Sequence, residues 1–230
     1  SRSSASGGGI YINGGKNTLT NCSITGNAAT ANTSSSSVSG GGVYIWDGTN
    51  TLTNCSITDN KAESSYFAAS GGGFELRGGT NTLTNCSITG NTASAGSSEA
   101  SGGGIFTQGS GTNTLSNCSI TGNMATANTR SSSFAYGGGI YTYKNITLLG
   151  TVNITGNTCK TLYASSDNNL HLGNNFMAAL SDSNGNTLST SSKIGVSTKT
   201  APTSGTDVQF ATNATEEMKA CFTADDDNYI

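Results

Sequence analysis

The chain has 230 residues, of which only 10% are charged, and its formal net charge is −3 at pH 7. No basic stripe is available to neutralise phosphates, so nucleic acid is not an expected partner. No run of apolar residues is long enough for a membrane-spanning helix, and the 32 glycines and single proline, set among short Ile, Val and Thr runs, predict an all-β protein.

The first feature along the chain is a run of three glycines followed by an apolar residue. Such self-similarity, at spacings of 31 to 35 residues, indicates stacked units that cannot bury their apolar faces alone. The runs begin at Gly7, Gly40, Gly71, Gly102 and Gly137.

A second block, Thr-Leu-Thr-Asn-Cys-Ser-Ile-Thr-Gly-Asn, starts at Thr18, recurs nearly unchanged after the next three glycine runs and is degenerate after the fifth. Its alternation predicts strands with Leu19, Cys22 and Ile24 pointing inward. Stacked copies would align equivalent residues about 4.8 Å apart in buried columns. The column equivalent to Ile24 continues through Ile57, Ile88, Ile120 and Ile154.

These repeats predict a right-handed parallel β-helix of about five regular coils, a coil being one turn of the solenoid, because strand twist favours right-handed crossovers. We assign residues 1–160 to the regular coils and residues 161–230 to degenerate coils and a C-terminal cap of the same solenoid. In this second part Leu170–Leu172, Ser192–Ser197 and Val208–Phe210 have strand patterns, and Asp225–Asp227 is predicted to be an exposed turn.

Two kinds of corner are expected within each coil. The glycines allow a tight turn or a close approach between coils. At the other corner, asparagine amides are predicted to stack from coil to coil, although Asn-Cys-Ser is also an N-glycosylation sequon. These asparagines are Asn21, Asn54, Asn85 and Asn117, and further sequons begin at Asn32, Asn145, Asn153 and Asn213.

Ser, Thr and Ala-rich stretches lie between the coils, at about residues 28–39, 61–70, 92–101 and 124–136. We interpret them as variable loops that emerge on one side of the solenoid. Loops gathered on one side are a natural place for binding.

The cysteines are interpreted as structural. Four of them share one register in successive coils, which makes a straight column and not the tetrahedral cluster of a metal site, so free thiols are expected. Cys159 and Cys221 fall outside the column, and we expect that oxidising surroundings would favour a disulfide between them. The column members are Cys22, Cys55, Cys86 and Cys118.

The outward positions of the first strand in each coil form what we call the aromatic strip. Regular stacking would place rings about 5 Å apart on a flat surface suited to sugars or protein side chains. In the alternative interpretation, loop residues Tyr66, Phe67, Phe134 and Tyr136 fold over the strip. The strip consists of Tyr11, Tyr44, Trp46, Glu75, Arg77, Phe106, Tyr141 and Tyr143, with Gln108 beside them.

The Gly-Gly-Gly-Ile and Ile-Thr-Gly-Asn motifs resemble the paired short motifs of chlamydial polymorphic outer-membrane proteins and of adhesin-like bacterial β-helix proteins. The resemblance covers residues 6 to about 157, with Gly9 where the first motif often has Ala and Ile24 where the second has Phe. It implies a β-helix at the cell surface and brings no catalytic residues with it.

The expected function is therefore that of a non-catalytic extracellular or surface-displayed module that binds a glycan or a host or cell-surface protein and needs no cofactor. The alternatives are a subunit of a filament formed by head-to-tail stacking, an ice-binding solenoid with Thr arrays, and a polysaccharide-cleaving enzyme. An enzyme would depend on Asp59, Glu75 and Arg77, whereas His171 has no evident catalytic partner and receives no role.

Overall fold

A computed structural model describes residues 4–33, 36–128, 134–173, 176–198 and 209–225. Nearly all regular structure in these ranges is β-strand, apart from a short 3₁₀ helix at Glu217–Cys221. Successive coils pair through parallel strands, as expected when each copy of a repeat lies on the next.

The strands recur in the same order in every regular coil. The first coil contains β1 (Ala5–Ser6), β2 (Ile10–Thr20), β3 (Ser23–Thr25) and β4 (Ala28–Ala31). The second contains β5 (Val38–Ser39), β6 (Val43–Thr53), β7 (Ser56–Thr58) and β8 (Lys61–Ser64). The third contains β9 (Ala69–Ser70), β10 (Phe74–Thr84), β11 (Ser87–Thr89) and β12 (Thr92–Ala95). The fourth contains β13 (Ala100–Ser101), β14 (Ile105–Ser116), β15 (Ser119–Thr121) and β16 (Met124–Ala127).

In the fifth coil the long strand divides in two. This coil contains β17 (Ala135–Tyr136), β18 (Ile140–Thr142), β19 (Ile146–Leu149), β20 (Asn153–Thr155) and β21 (Thr158–Lys160). The less regular part contains β22 (Ser165–Asp167), β23 (Leu170–Leu172), β24 (Ala178–Ala179), β25 (Lys193–Thr198), β26 (Ala211–Thr212) and β27 (Phe222–Ala224).

The main core is the predicted set of inward columns. Ile57 pairs in register with Ile24 on one side and Ile88 on the other, and its side chain is fully buried. The column continues through Ile120 to Ile154, as predicted. It then extends beyond the regular coils, because Ile194 of β25 lies on Ile154 and Phe222 of β27 lies on Ile194.

The Ser, Thr and Ala-rich stretches are not loops, and that interpretation was wrong. Each contributes a four-residue strand going out and a two-residue strand coming back, and these strands stack into two further parallel sheets. We call this second lobe the arm. Its core is lined by small side chains, and small side chains allow two sheets to lie close together. The apolar cluster in the arm core consists of Ala29, Ala31, Val38, Ala62, Ala69, Ala95, Ala100, Ala125, Ala127 and Cys159.

The glycine corners have the predicted role. Gly40 adopts a φ of +61°, in the left-handed region that favours glycine. The next residue needs glycine for space, because a Cβ atom on Gly41 would lie 2.3 Å from the carbonyl carbon of Lys61. Each glycine run thus joins the arm to the main body by a turn that other residues do not fit.

The predicted stacking of amides at the asparagine corner is confirmed for the first three of the four asparagines. Asn54 Nδ2 donates to Asn21 Oδ1 at 3.1 Å, and Asn85 Nδ2 donates to Asn54 Oδ1 at 3.1 Å. Asn117 instead accepts from the backbone N–H of Thr151. These side chains are exposed, so the stacking leaves the glycosylation interpretation open.

A buried asparagine ladder, which the sequence did not lead us to single out, runs along another corner. From Asn60 onward, each amide oxygen accepts the backbone N–H and the Nδ2–H of the preceding asparagine in the ladder. Asn60, for example, donates both groups to Asn91 Oδ1 at 2.9 and 3.0 Å. The ladder ends where Asn169 donates both groups to the Asp225 carboxylate. Its members are Asn27, Asn60, Asn91, Asn123, Asn157 and Asn169.

The C-terminal expectations hold only in part. Leu170–Leu172 is a strand, and β25 matches the expected strand at Ser192–Ser197 shifted by one residue. Gln209 and Phe210 are not in a strand, whereas Val208 lies outside the described residues. Asp225 is half-buried and bonded to Asn169, so it is not the exposed turn we expected, and Asp226 and Asp227 lie outside the described residues.

The disulfide that we considered between Cys159 and Cys221 is not formed, because both residues are free thiols. Cys159 lies in the arm core and Cys221 lies in the main core, so the two side chains belong to different apolar clusters. The four column cysteines are free thiols, as expected.

Candidate binding site: the aromatic strip

The strip lies in a concave corner between the main body and the arm. The glycine turn joins the short arm strand to the long strand that follows it. Outward side chains at the start of the long strand therefore face side chains at the end of the arm strand. Ser70 Oγ, at the end of β9, thus donates to Glu75 Oε2 at 2.5 Å. Two coils further on, the Tyr136 and Tyr141 rings lie 5.2 Å apart across the same corner.

The corner buries the middle of the strip, so the expectation of one continuous exposed surface was wrong. Tyr44 is 4% exposed and Phe106 is 5% exposed, while Glu75 and Tyr141 have no exposed surface. Neighbouring rings pack on Tyr44 and Phe106, and Tyr136 of the arm packs on Tyr141. Alternation along a single strand shows that these residues point away from the main core, but not that a second lobe covers them.

The far end of the strip forms a second small core. Tyr136 packs against Tyr141 and against the ring of His171 at 5.0 Å, and Phe134 stacks on Tyr136 at 5.9 Å. The hydroxyl of Tyr141 donates to that of Tyr143. The alternative in which these aromatics cover the strip is therefore correct for Tyr136, whereas Phe134 stacks on Tyr136 and is itself 56% exposed.

Tyr66 and Phe67 do not cover the strip in this way, since they lie in the turn between β8 and β9 and remain 53% and 44% exposed. His171 is buried, and its Nδ1 is 2.9 Å from the Ser197 hydroxyl. Sequence reasoning gave His171 no role, and the structure places it in the packing of the far end.

The near end of the strip is accessible. Tyr11 is 52% exposed and Trp46 is 48% exposed. The Tyr11 ring stacks on Tyr44 with centroids 5.2 Å apart and an interplanar angle of 16°. The Tyr44 and Trp46 rings are 6.4 Å apart. Two half-exposed rings thus lie against a buried third ring, which makes a rigid platform.

A buried carboxylate holds the cation beside this platform. Glu75 Oε1 accepts from Arg77 Nε and from Gln108 Nε2, each at 2.9 Å. The guanidinium carbon of Arg77 lies 5.7 Å from the centroid of the Trp46 ring. Ser70 and Gln108 complete the set of donors to Glu75. The sequence showed Gln108 on this face, but it did not show that Gln108 bonds to Glu75, because that bond joins two coils.

The surroundings shift two ionisation equilibria at the platform. Burial raises the pKa of the Tyr44 hydroxyl to about 12, with Arg77 acting in the opposite direction. For Arg77, burial alone would lower the pKa of the guanidinium, but the hydrogen bond and charge of Glu75 outweigh it, and the pKa is raised. Tyr44 is therefore neutral and Arg77 is charged at neutral pH.

Of the three residues considered for an enzyme, Glu75 and Arg77 form an ion pair, but Asp59 does not join them. Asp59 lies in the turn between β7 and β8 with a φ of +55° and is exposed, whereas Glu75 is inside the concave corner. Within the described residues we find no group of three or more His, Cys, Asp or Glu side chains placed to hold a metal ion. No described helix is long and apolar enough to cross a membrane.

Comparison with known proteins assigns the family. Residues 2–199 match the family model described as the right-handed β-helix region, which covers most of the chain. The chain therefore belongs to the right-handed β-helix family, which confirms the predicted fold and handedness. Searches of curated proteins and of solved structures each found no match.

Proposed function

We propose that this β-helix is a non-catalytic binding module, secreted or displayed at a cell surface, whose near-end platform binds a glycan. The observation that carries the proposal is the pair of half-exposed rings, Tyr11 and Trp46, fixed against the buried Tyr44. Flat aromatic faces bind the C–H faces of sugars, and a rigid platform loses little conformational entropy when it does so. The cell-surface location rests on the resemblance to surface β-helix proteins.

A binding role fits this corner better than hydrolysis of a polysaccharide. Glu75 has no exposed surface, and three donors occupy its oxygens, so it is not placed to protonate a glycosidic oxygen. Its position suits a residue that orients Arg77. Loss of a defined hydrolytic activity on substitution of Asp59, Glu75 or Arg77 would contradict the non-catalytic proposal.

A glycan array tests the proposal directly. We expect Trp46→Ala combined with Tyr11→Ala to reduce binding at least about tenfold, because exposed aromatic anchors dominate such surfaces. Tyr163→Ala is a matched control, since Tyr163 is 78% exposed and lies in the turn between β21 and β22, away from the platform. Glycan binding that survives the double substitution, or that is lost equally with Tyr163→Ala, would dismiss the platform as the site.

The alternative role as a filament subunit needs one copy to stack on another. The polarity of the buried asparagine ladder does not favour this contact. Within the described residues the ladder runs from Asn27, whose amide oxygen is by its chemistry an acceptor, to the Asp225 carboxylate, which is also an acceptor. Light scattering and electron microscopy of the native chain, compared with Ile10→Lys and Ile12→Lys, would reveal a filament if one forms.

A further inference from the structure

We propose that the platform selects neutral over acidic saccharides, and that Glu75 is the residue that sets this preference. This inference rests on the proposed function and goes beyond it by naming the class of glycan. It is drawn from the charges at the near end of the strip and from the way in which Arg77 is held.

The guanidinium of Arg77 keeps N–H groups that can donate to a ligand. Its Nε bonds to Glu75, and among the described residues its two Nη groups have no hydrogen-bond acceptor. The side chain is 38% exposed beside the Trp46 ring. A sugar stacked on the platform therefore has N–H donors next to it, and hydroxyl or ring oxygens are suitable acceptors.

The positive charge of Arg77 is already balanced by the negative charge of the Glu75 carboxylate. The Glu75 carboxylate lies 2.9 Å from Nε, and it is fully buried, where water screens it little. A second carboxylate brought to the Nη groups would be attracted by the guanidinium but repelled by the Glu75 carboxylate. The repulsion would cancel much of the attraction. A neutral hydroxyl gains the hydrogen bonds without that repulsion.

The surrounding charges do not restore an attraction for anions. Asp47 follows Trp46 directly and is exposed, with its Oδ1 accepting from the Gly48 N–H at 2.7 Å. Lys16 is exposed in the first coil, in register with Thr49. Among the described residues named here, the positive charges of Arg77 and Lys16 are thus offset by the negative charges of Glu75 and Asp47.

The experiment compares two probes by calorimetry: a short β-linked glucose oligomer and a uronic acid oligomer of equal length. For the native chain we expect the neutral oligomer to bind more tightly, with an affinity that changes little between low and high salt. We expect Glu75→Gln to raise the affinity for the uronic acid oligomer about tenfold relative to the affinity for the neutral oligomer, because the buried charge that repels an acidic sugar is removed.

Two further substitutions make the result specific to the site. Glu63→Gln removes the same charge from the arm surface, where Glu63 pairs with Lys61, and we expect it to leave both affinities unchanged. Asp47→Asn changes the charge beside Trp46 at an exposed position, so it tests the same effect if Glu75→Gln does not fold. We expect it to favour the uronic acid oligomer by about two- to fivefold.

The possible outcomes separate the two proposals. If the native chain binds the uronic acid oligomer more tightly, and Trp46→Ala abolishes that binding, the platform is the site but the preference for neutral sugars is wrong. If neither oligomer binds, or if Trp46→Ala changes nothing, both proposals are overturned.

Discussion

The isoleucine column is where a single residue has the largest effect on the fold. Ile88 has no exposed surface and touches its equivalents in the coils on both sides. We expect Ile88→Asp to unfold the solenoid or to lower its free energy of unfolding by about 4 kcal/mol or more, because an unpaired carboxylate would enter an apolar column. Thermal unfolding followed by circular dichroism measures the effect.

Ser87, one residue earlier in the same strand, is the matched control. Its exposed hydroxyl bonds only to Thr89 at 3.2 Å. We expect Ser87→Ala to change the free energy of unfolding by less than about 0.5 kcal/mol. Equal effects of the two substitutions would show that the inward and outward assignment is wrong.

Tyr44 gives a pH-dependent prediction at the same scale. Its pKa is raised from 10.0 to about 12 in the folded protein, mainly by burial. Its contribution to stability is therefore fully present below pH 10, and it is lost as the pH rises from about 10 to about 12. We expect Tyr44→Phe, which cannot ionise, to reduce the loss of stability over this window.

Denaturant unfolding at several alkaline pH values tests this prediction. Tyr163→Phe is the control, because that side chain is largely exposed. An alkaline loss of stability that is identical in the native chain and in Tyr44→Phe would contradict the assignment of Tyr44 to a buried position.

The buried asparagine ladder is the clearest case of an element built from several coils. Asn91 Oδ1 accepts two N–H groups from Asn60, and Asn91 Nδ2 donates to the Ile57 carbonyl at 2.8 Å. We expect Asn91→Ala to lower the free energy of unfolding by about 3 kcal/mol, because it leaves buried donors and a carbonyl without partners.

An asparagine at the exposed corner provides the comparison. Asn85 has a φ of +53°, and the equivalent residue in the fifth coil is Gly150. We expect Asn85→Gly to cost less than about 1 kcal/mol, since glycine adopts this conformation easily and only an exposed hydrogen bond is lost. If the two substitutions cost the same, the buried ladder does not contribute as we describe.

At the scale of the whole molecule, the solenoid is held together without covalent links, although it contains six cysteines, all of them free thiols. We expect the melting temperature to be the same with and without reductant. A disulfide would contribute about 2–4 kcal/mol and would make the melting temperature sensitive to reduction.

Thiol titration complements the melting experiment. Five of the thiols are buried, and Cys22 is partly exposed in the first coil. We expect slow reaction in the native protein and rapid reaction of all six thiols after unfolding. An intact mass of the purified protein that is two hydrogen atoms below the mass of the fully reduced chain would indicate a disulfide and would contradict the prediction.

The sequence by itself determined the main body of this protein. Ile24 and its equivalents recur at the repeat spacing, and the alternation around them assigns the buried face without any knowledge of neighbouring coils. The recurring glycine runs also predicted tight corners from sequence. The structure gives the reason at Gly41, where a Cβ atom would lie too close to the backbone of Lys61.

Only the tertiary structure decided the arm and the accessible part of the strip. Alanine and serine have little preference for strands, so the segment around Ala93 becomes a strand only because equivalent segments lie on both sides of it. Whether an outward ring is exposed depends in turn on contacts outside its own strand: Tyr136 of the arm packs on the buried Tyr141, whereas Trp46 remains 48% exposed. Burial of this kind depends on contacts between lobes, and a periodic pattern along one strand carries no information about such contacts.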